Sequence, residues 1–473
     1  MGFRVLYNEN MIEADENKKQ VNNDGQQWDS LSSIPFNKAE IPLSDIAGDI
    51  AKTDVTVYER LNASNDAAAK DEFLENPDLT HPNNEYGNLD PNEVKDNLGT
   101  LSTIKTNIEQ ANLSEQQKNL LRILYADCYK KNDFLLANIE YNSANTPEEK
   151  EEAARHHREA NEALYGKADE DTFYTLLREK LAAIDVDSLS PEDKEKYDKL
   201  LSDIGPLKEV TSDRFIPKPE TVQRFGEYVR EFFKGFLKHI PADQEEFTGS
   251  DMARIVNEIL AEEFSDEPDS EAAPYQAIVS SSASNASANH ETRQIIFSDR
   301  KTYPRNKAAA IIVHELGTHV MRAIPYVEQD ITSFSTGFPD NETFDEGVAK
   351  CVEQALAGKY TDSGVDHYIN IGLATFMGKN FREIYDIQHT INDLSGQPSK
   401  TLINSVQRCF RGTGELVNNK DLAYYNGSEM VWKYIEDHID DPELFDHLFL
   451  TGKLDITNPD QERISYEKRT GSI

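Results

Sequence analysis

Residues 308–322 read AAAIIVHELGTHVMR, and this stretch decides both the fold and the chemistry of the chain. An apolar run leads directly into His314, Glu315 and His319, which form an H-E-x-x-x-H array on one predicted helix. In the familiar zinc signature H-E-x-x-H, the two histidines lie four positions apart and share one face of a helix. Here they lie five positions apart. That spacing places them roughly 140° apart around an ideal helix, too far round to share one tetrahedral ion.

Two interpretations of this spacing are possible. Either the helix contains a π-bulge, which widens one turn and brings both imidazoles to one side, or His314 and His319 are a structural pair that binds no metal. Gly317 lies between the two histidines, and a glycine there lowers the steric cost of a distorted turn. We favour the metal site, because π-bulges are frequent at functional sites.

A catalytic metal site needs a third protein ligand and one open position. Glu346 lies 27 residues after His319, early on a second helix with apolar residues at helical spacing, and offers a suitable carboxylate. His314, His319 and Glu346 therefore predict a site for one ion, and two imidazoles with one carboxylate suit Zn²⁺ without excluding cobalt or manganese. Glu315, which follows a ligand in the sequence, is the predicted general base. Asp345 could orient an imidazole by accepting its N–H.

Composition excludes several other functions. The 473 residues carry 49 basic and 86 acidic side chains, a net charge of −37. Such a charge argues against nucleic acid and against an anionic membrane surface as partners; its plainest interpretation is a solvated acidic surface. No apolar run approaches the ~20 residues that a membrane span needs, and the N-terminus has no signal-peptide core. Three cysteines far apart do not make a disulfide framework, so we expect a cytoplasmic protein.

The pattern along the chain predicts three parts and an α+β, mostly helical fold. Residues 1–55 are a polar N-terminal extension, residues 56–265 a helical scaffold region, and residues 266–473 the catalytic core. Ser/Thr-Pro-acid sequences at 146–149 and 190–193 predict helix starts. Two short strands are expected at residues 275–280 and 293–297. On the charged helix that starts near residue 147, His156 and His157 are expected on the solvated face.

Three motifs together resemble the tyrosine carboxypeptidase family, which comprises eukaryotic microtubule-associated tyrosine carboxypeptidases and bacterial QEGLA-motif proteins. They are HELGTHVMR, GFPDNETFDEGVA and VQRCFRGTGELVNNKDLAYYNG, which agree with that family in order and spacing. The family's third-ligand motif QEGLA is DEGVA here, and the first 50 residues have no counterpart in the family. The resemblance spans roughly residues 55–465.

The resemblance implies a zincin-like catalytic core with a small β-sheet and an edge strand along the cleft, acting on the C-terminus of a peptide or protein and releasing Tyr or Phe. An exopeptidase of this kind needs a fixed cation for the terminal carboxylate, and arginine binds a carboxylate through two parallel hydrogen bonds. Arg408, Arg411 and Lys420 in the distal motif are the substrate-binding candidates. Tyr424, or its neighbour Tyr425, would stabilise the oxyanion.

Arg322 is expected to form a buried structural pair. The tubulin tails that eukaryotic relatives process are acidic, so the net charge of −37 would repel them unless a local basic patch overcomes the repulsion.

Two rival functions stay open. Dipeptidyl peptidases with H-E-L-L-G-H share the five-residue histidine spacing, but their E-E-C-R-A-E motif is not found in this sequence. A non-catalytic regulatory protein that retains the metal site is the second rival. Amidation of the substrate's C-terminus distinguishes a carboxypeptidase from the first rival, because it stops only a carboxypeptidase. Glu315→Gln distinguishes an enzyme from the second rival, because it removes hydrolysis without removing a metal ligand.

Overall fold

The chain folds into a mostly helical α+β protein with two small sheets, as the sequence predicts. The structure is a computed structural model, and it describes residues 41–87, 89–210, 214–264, 275–281, 283, 286–290, 292–323, 341–450, 452–459 and 461. Most of the predicted N-terminal extension, namely residues 1–40, lies outside the described part of the chain, as does the acidic segment 265–274.

The first half of the described chain is helical, and two of its helices begin where the sequence predicted. Thr146 forms a capping box ahead of Pro147, and Ser190 caps the helix that begins at Pro191. In both cases the side-chain oxygen accepts a backbone N–H that the first turn leaves unpaired. The helices are α1 (Ile41–Ala51), α2 (Val57–Arg60), α3 (Asp66–Glu75), α4 (Pro91–Gln110), α5 (Glu115–Ser143), α6 (Pro147–Tyr165), α7 (Glu170–Ala182) and α8 (Pro191–Ile204).

The second half adds the two sheets and the remaining helices. In order these are α9 (Pro219–Phe232), α10 (Lys234–Leu237), β1 (Glu246–Thr248), α11 (Gly249–Glu263), β2 (Gln276–Ser280), β3 (Ser287–Asn289), β4 (Gln294–Ser298), β5 (Thr302–Pro304) and α12 (Arg305–Ile312). There follow a π-helix (Val313–Val320), α13 (Asn341–Ala357), α14 (Val365–Met377), α15 (Phe381–Leu394), α16 (Leu402–Cys409), α17 (Leu422–His438) and a second π-helical turn (Asp446–Leu450).

The sheets lie next to the helix that carries the histidines. β2 and β4 are the two predicted strands, and they pair in parallel with Ile278 opposite Ile296. β3 pairs antiparallel on the other side of β4, so β3 is an edge strand, and it contacts the π-helix. β1 and β5 form a separate antiparallel pair. The sequence did not predict β3, which has only three residues and no β-branched side chain.

A hydrophobic cluster under the π-helix anchors it to the rest of the protein. The cluster gathers fully buried side chains from α9, α11, β4, the π-helix, α13 and α17, among them Phe225, Ile259, Phe297, Leu316, Val352 and Trp432. It therefore contains residues from both sides of the proposed boundary at 265/266. The predicted division into an extension, a scaffold and a core stays a prediction.

One sequence expectation about the helical region is wrong. His157 is only 1% exposed, and its ring packs 5.0 Å from the ring of Phe134, centroid to centroid. Its neighbour His156 does face the polar side of α6, where Nδ1 lies 2.7 Å from Glu140 Oε2. The small alanine stripe of α6 was too weak a pattern to show that His157 belongs to the packed face.

Two further observations concern the apolar character of the helices and the state of the cysteines. Within the described residues, no helix combines the length and the apolar character needed to cross a membrane. Cys128, Cys351 and Cys409 are all free thiols, and all three are buried.

Candidate active site

The stretch with the two histidines is a π-helix, as the spacing predicted. It continues α12 without a break and extends over Val313–Val320. Thr318 Oγ1 donates to the carbonyl oxygen of Val313, five residues earlier, at 3.2 Å. Because a π-turn holds more residues than an α-turn, it carries His314 and His319 to the same side of the helix.

The three predicted ligands lie together. His314, His319 and Glu346 each offer a donor atom within 4.8 Å of a donor atom from the other two. The imidazole centroids are 4.9 Å apart. Glu346 Oε2 is buried and makes no hydrogen bond to any described residue. A buried carboxylate oxygen left without a proton donor is costly unless a cation takes that place, so the residues present fit a divalent metal ion.

Asp345 holds one imidazole in place. Its Oδ2 lies 2.6 Å from His319 Nδ1, and its Oδ1 lies 2.8 Å from Nε of the fully buried Arg322. Burial acts to raise the pKa of the Asp345 carboxyl, but the charges of Lys453, His319 and Arg322 hold that pKa well below its usual range. With Nδ1 engaged, His319 has Nε2 left as a ligand atom. Arg322 forms the buried structural pair that the sequence predicted.

Glu353 holds the imidazole of His314 as Asp345 holds that of His319, and it was not predicted from the sequence. His314 Nδ1 lies 2.5 Å from Glu353 Oε1, which also lies 2.8 Å from Lys350 Nζ. Glu353 follows Glu346 by seven residues on α13, two helical turns along the same face. That spacing is the signal by which it could have been found.

Glu315 lies on the ligand side of His314. Its side chain is buried, and Oε1 is 4.0 Å from His314 Nε2, the nitrogen turned away from Glu353. A carboxylate beside the free ring nitrogen is within reach of a water molecule bound next to that nitrogen. This position suits the predicted general base.

A second set of polar groups, the buried Lys453 and the partly buried His290 and Tyr275, lies next to Asp345. Lys453 Nζ lies 3.4 Å from Asp345 Oδ2 and 2.8 Å from Nε2 of His290, and Tyr275 Oη lies 2.7 Å from His290 Nδ1. Burial and then the nearby charges of Lys453 and His319 lower the pKa of His290 well below its usual value. Lys453 was not predicted as part of the site, because it lies more than 100 residues along the chain from both Asp345 and His290.

The distal motif brings a cluster of cations to the other side. Arg408 donates to both oxygens of Asp421, at 2.6 and 2.7 Å, and to Tyr424 Oη at 3.0 Å. Lys420 forms an ion pair with Glu342. Arg408 lies near the end of α16, Lys420 and Asp421 in the 3-10 turn Asn419–Asp421, and Tyr424 in the first turn of α17, which packs against α13.

Electrostatics connects this cluster to the three ligands. Burial acts to raise the pKa of the Glu346 carboxyl, and the charges of His319, His314, Lys420 and Lys350 lower it to below its usual value. Burial and then the charge of Glu346 raise the pKa of Tyr424. The Tyr424 phenol therefore lies within the electrostatic field of the Glu346 carboxylate.

Tyr425 points elsewhere. It packs against Tyr368, with ring centroids 5.1 Å apart, inside a different hydrophobic cluster. Of the two tyrosines that the sequence offered for the oxyanion, the geometry favours Tyr424.

The fold and these residues define a mostly helical α+β protein with a buried group of two histidines and one glutamate that could hold a metal ion. A family profile described as microtubule-associated tyrosine carboxypeptidase matches residues 209–468, more than half of the chain. The chain belongs to that family, and its membership implies a carboxypeptidase that acts on a protein substrate. No curated protein and no solved structure gives a significant match.

Proposed function

We propose that this protein is a zinc-dependent carboxypeptidase that releases a C-terminal Tyr or Phe from a peptide or protein. The observation that carries the metal assignment is the meeting of His314, His319 and Glu346 within 4.8 Å. Family membership supports the carboxypeptidase class. Two imidazoles that are each oriented by a carboxylate, with a third carboxylate as ligand, form a donor set suited to zinc in a catalytic site.

Zinc held by these residues would polarise the scissile carbonyl and lower the pKa of a bound water towards ~7. Glu315 accepts the proton of the attacking water on a carboxylate oxygen and delivers it to the amine nitrogen of the released residue. Burial of Glu315 keeps this transfer away from bulk solvent.

Tyr424 suits the role of oxyanion donor because of how its phenol is held. Arg408 donates to Tyr424 Oη, which leaves the phenol proton free to be donated to a substrate oxygen. The raised pKa of Tyr424 keeps that proton in place at neutral pH. A donor fixed before the reaction stabilises the charge that develops on the carbonyl oxygen.

The substrate would be held by its backbone and by its terminal carboxylate. β3 is an edge strand beside the π-helix, and an extended peptide can pair with such an edge. Arg408, Arg411 and Lys420 form a cation cluster, at least one member of which would bind the carboxylate. The three buried free thiols support a reducing compartment, and we propose the cytoplasm.

The test combines metal analysis with a peptide assay. Purified protein should contain about one zinc per chain and should remove Tyr or Phe from free-acid peptides but not from the same peptides with a C-terminal amide. Glu315→Gln should keep the metal and lose activity, whereas Glu258→Gln, on the exposed face of α11, should change neither.

Two results would reject parts of this proposal. Cleavage of amidated peptides, or release of N-terminal dipeptides, would favour a peptidase of the other specificity. Full activity after complete metal removal would overturn the zinc dependence.

A further inference from the structure

One contact near the site comes from a part of the chain that lies outside the family match. Tyr58 is on α2, in the N-terminal helical region, and its ring lies under the guanidinium of Arg411. The distance from Arg411 Cζ to the ring centroid is 3.8 Å, and Arg411 Nη2 donates to Tyr58 Oη at 3.2 Å. Lys420 Nζ lies 5.2 Å from the same ring centroid.

The cations around the site differ in whether they have an acidic partner. Arg408 pairs with Asp421, Lys420 with Glu342, and Lys350 with Glu353. Within the described ranges, no carboxylate lies at salt-bridge distance from Arg411. In a chain with 86 acidic residues, this is the cation of the cluster whose charge is left for a ligand.

The fold fixes Tyr58 in position. Its neighbours Val57 and Leu61 are buried in a hydrophobic cluster with Phe134 and Leu135 of α5. Burial acts to raise the pKa of Tyr58, but the charges of Arg411, Arg408 and Lys420 lower it below its ordinary value, so the phenol lies within the field of the whole cation cluster. A guanidinium stacked on a fixed ring and bound by its hydroxyl loses little freedom when it binds a carboxylate.

We propose that Arg411 binds the terminal carboxylate of the substrate and that Tyr58 is the positioning residue that aims the guanidinium. This inference rests on the proposed carboxypeptidase function. Arg408 and Lys420 are already paired, with Asp421 and Glu342 respectively. They therefore position neighbouring groups and do not bind the substrate carboxylate. The N-terminal helical region thereby completes the specificity site of a catalytic core that is encoded about 250 residues later.

Binding is measured first in the Glu315→Gln background, so that no turnover is needed. Paired peptides ending in Tyr, one as free acid and one as amide, are titrated and their dissociation constants compared. We expect the free acid to bind more tightly. Arg411→Lys, which keeps the charge but loses the planar fork, should reduce the preference for the acid by ~10-fold or more.

Tyr58 variants separate the ring from the hydroxyl. Tyr58→Phe keeps the stacked ring and should lose ~2–10-fold of the acid preference, the range for one hydrogen bond; Tyr58→Leu should lose more. In the active enzyme the same variants should raise KM for free-acid peptides with little change in kcat, since the lost contact is the same in ground and transition states. Arg60→Lys, on the same short helix and paired with Glu93, is the matched control and should leave both constants unchanged.

The possible outcomes distinguish a failure of the proposed function from a failure of this inference alone. If the Glu315→Gln protein binds acid and amide equally, C-terminal recognition itself fails and the proposed function fails with it. If the preference exists but survives in Arg411→Lys and in Tyr58→Phe, this inference alone is overturned. Thermal unfolding of each variant identifies a Tyr58→Leu protein that has merely lost its fold, and in that case Tyr58→Phe decides.

Discussion

Gly317 shows how a single residue can be required for two reasons. The sequence places it between the histidines, where a glycine eases a π-turn. The structure adds a steric reason, because a Cβ at this position would lie 2.7 Å from Phe233 Cε1 and 3.1 Å from Val313 Cγ1. The ring of Phe233 is itself fully packed in the core. The π-helix can therefore lie against this ring only if residue 317 has no side chain.

Gly317→Ala should destabilise the protein by ~1–3 kcal/mol, the cost of overpacking a close-packed core. Urea unfolding measures the change in the free energy of unfolding. The matched control is Gly99→Ala in the interior of α4, where a Cβ meets nothing within 4 Å; there we expect a gain of ~0.5–1 kcal/mol.

A double-mutant cycle checks the cause of that loss. Phe233→Leu removes the ring edge and should cost stability alone, but combined with Gly317→Ala it should cost less than the sum of the two. Strictly additive effects would show that the alanine acts on the π-turn and not through the ring.

At the scale of elements, α13 organises the candidate metal site. It contributes Glu346 as a candidate ligand, and Asp345 and Glu353 as the carboxylates that hold the two imidazoles. Its close approach to α17 depends on two glycines, since a Cβ on Gly347 would lie 2.3 Å from the carbonyl oxygen of Gly427. The position of this helix therefore fixes three groups of the site at once.

Replacing the orienting carboxylates should weaken metal binding without removing a ligand. Glu353→Gln and Asp345→Asn should each lower zinc affinity by ~10–100-fold, the usual effect of losing such a partner. Competition with a chelator of known affinity measures it. Glu429→Gln, which alters an exposed i,i+4 pair with Lys433 on α17, is the control and should bind zinc like the unmodified protein. Unchanged affinity in both site variants would contradict the assignment.

The buried histidine of α6 predicts a pH dependence of stability. Burial, followed by the charge of His156, lowers the pKa of His157 from 6.5 to about 3. Below about pH 6.5 the imidazole of His157 is protonated in the unfolded chain but not in the folded protein. The free energy of unfolding therefore falls by ~1.4 kcal/mol per pH unit as the pH decreases below that value. Above that pH both states are neutral at this position, and the contribution is constant.

His157→Leu should remove this part of the pH dependence, and urea unfolding between pH 4 and pH 7.5 measures the difference from the unmodified protein. His156 has the opposite effect on the pH dependence of stability. Burial acts to lower the pKa of His156, but the hydrogen bonds and charges of Glu140 and Asp133 outweigh burial and raise that pKa above its usual value. His156→Gln should therefore cost stability at acid pH and little at alkaline pH. A difference between the unmodified protein and His157→Leu that does not vary with pH would contradict the burial of His157.

What the sequence could predict depends on the distance over which the determining contact acts. The helix starts at Thr146 and Ser190 and the π-turn at residues 313–320 follow from local residue types and spacing, and the structure confirms them. The contact of Tyr58 with Arg411, and that of Lys453 with Asp345, join residues more than 100 positions apart, so no local pattern contains them. The prediction that His157 is exposed was wrong for a related reason, because only tertiary packing determines which face of a charged helix is buried.

At the scale of the whole molecule, the protein has a net charge of −37, yet several cations lie at the candidate site. Three cations at the site, Arg408, Lys420 and Lys350, are each paired with an acid of the protein at short range, whereas Arg411 has no such partner among the described residues. A peptide with an acidic tail is therefore repelled by the net charge of the protein and attracted only at short range, next to these cations. Long-range repulsion is screened over ~10 Å at 0.1 M salt, whereas pairs of buried or partly buried charges are screened much less.

This difference in range predicts how salt should affect turnover. For a peptide with several glutamates ahead of its C-terminal Tyr, kcat/KM should rise by ~10-fold between very low salt and ~0.15 M, because association is slowed by the like charge of the protein. The same peptide with glutamines in those positions should change little. If added salt instead lowered kcat/KM for the acidic peptide, attraction by the cations at the site would outweigh repulsion by the acidic surface during association, and the prediction would be wrong.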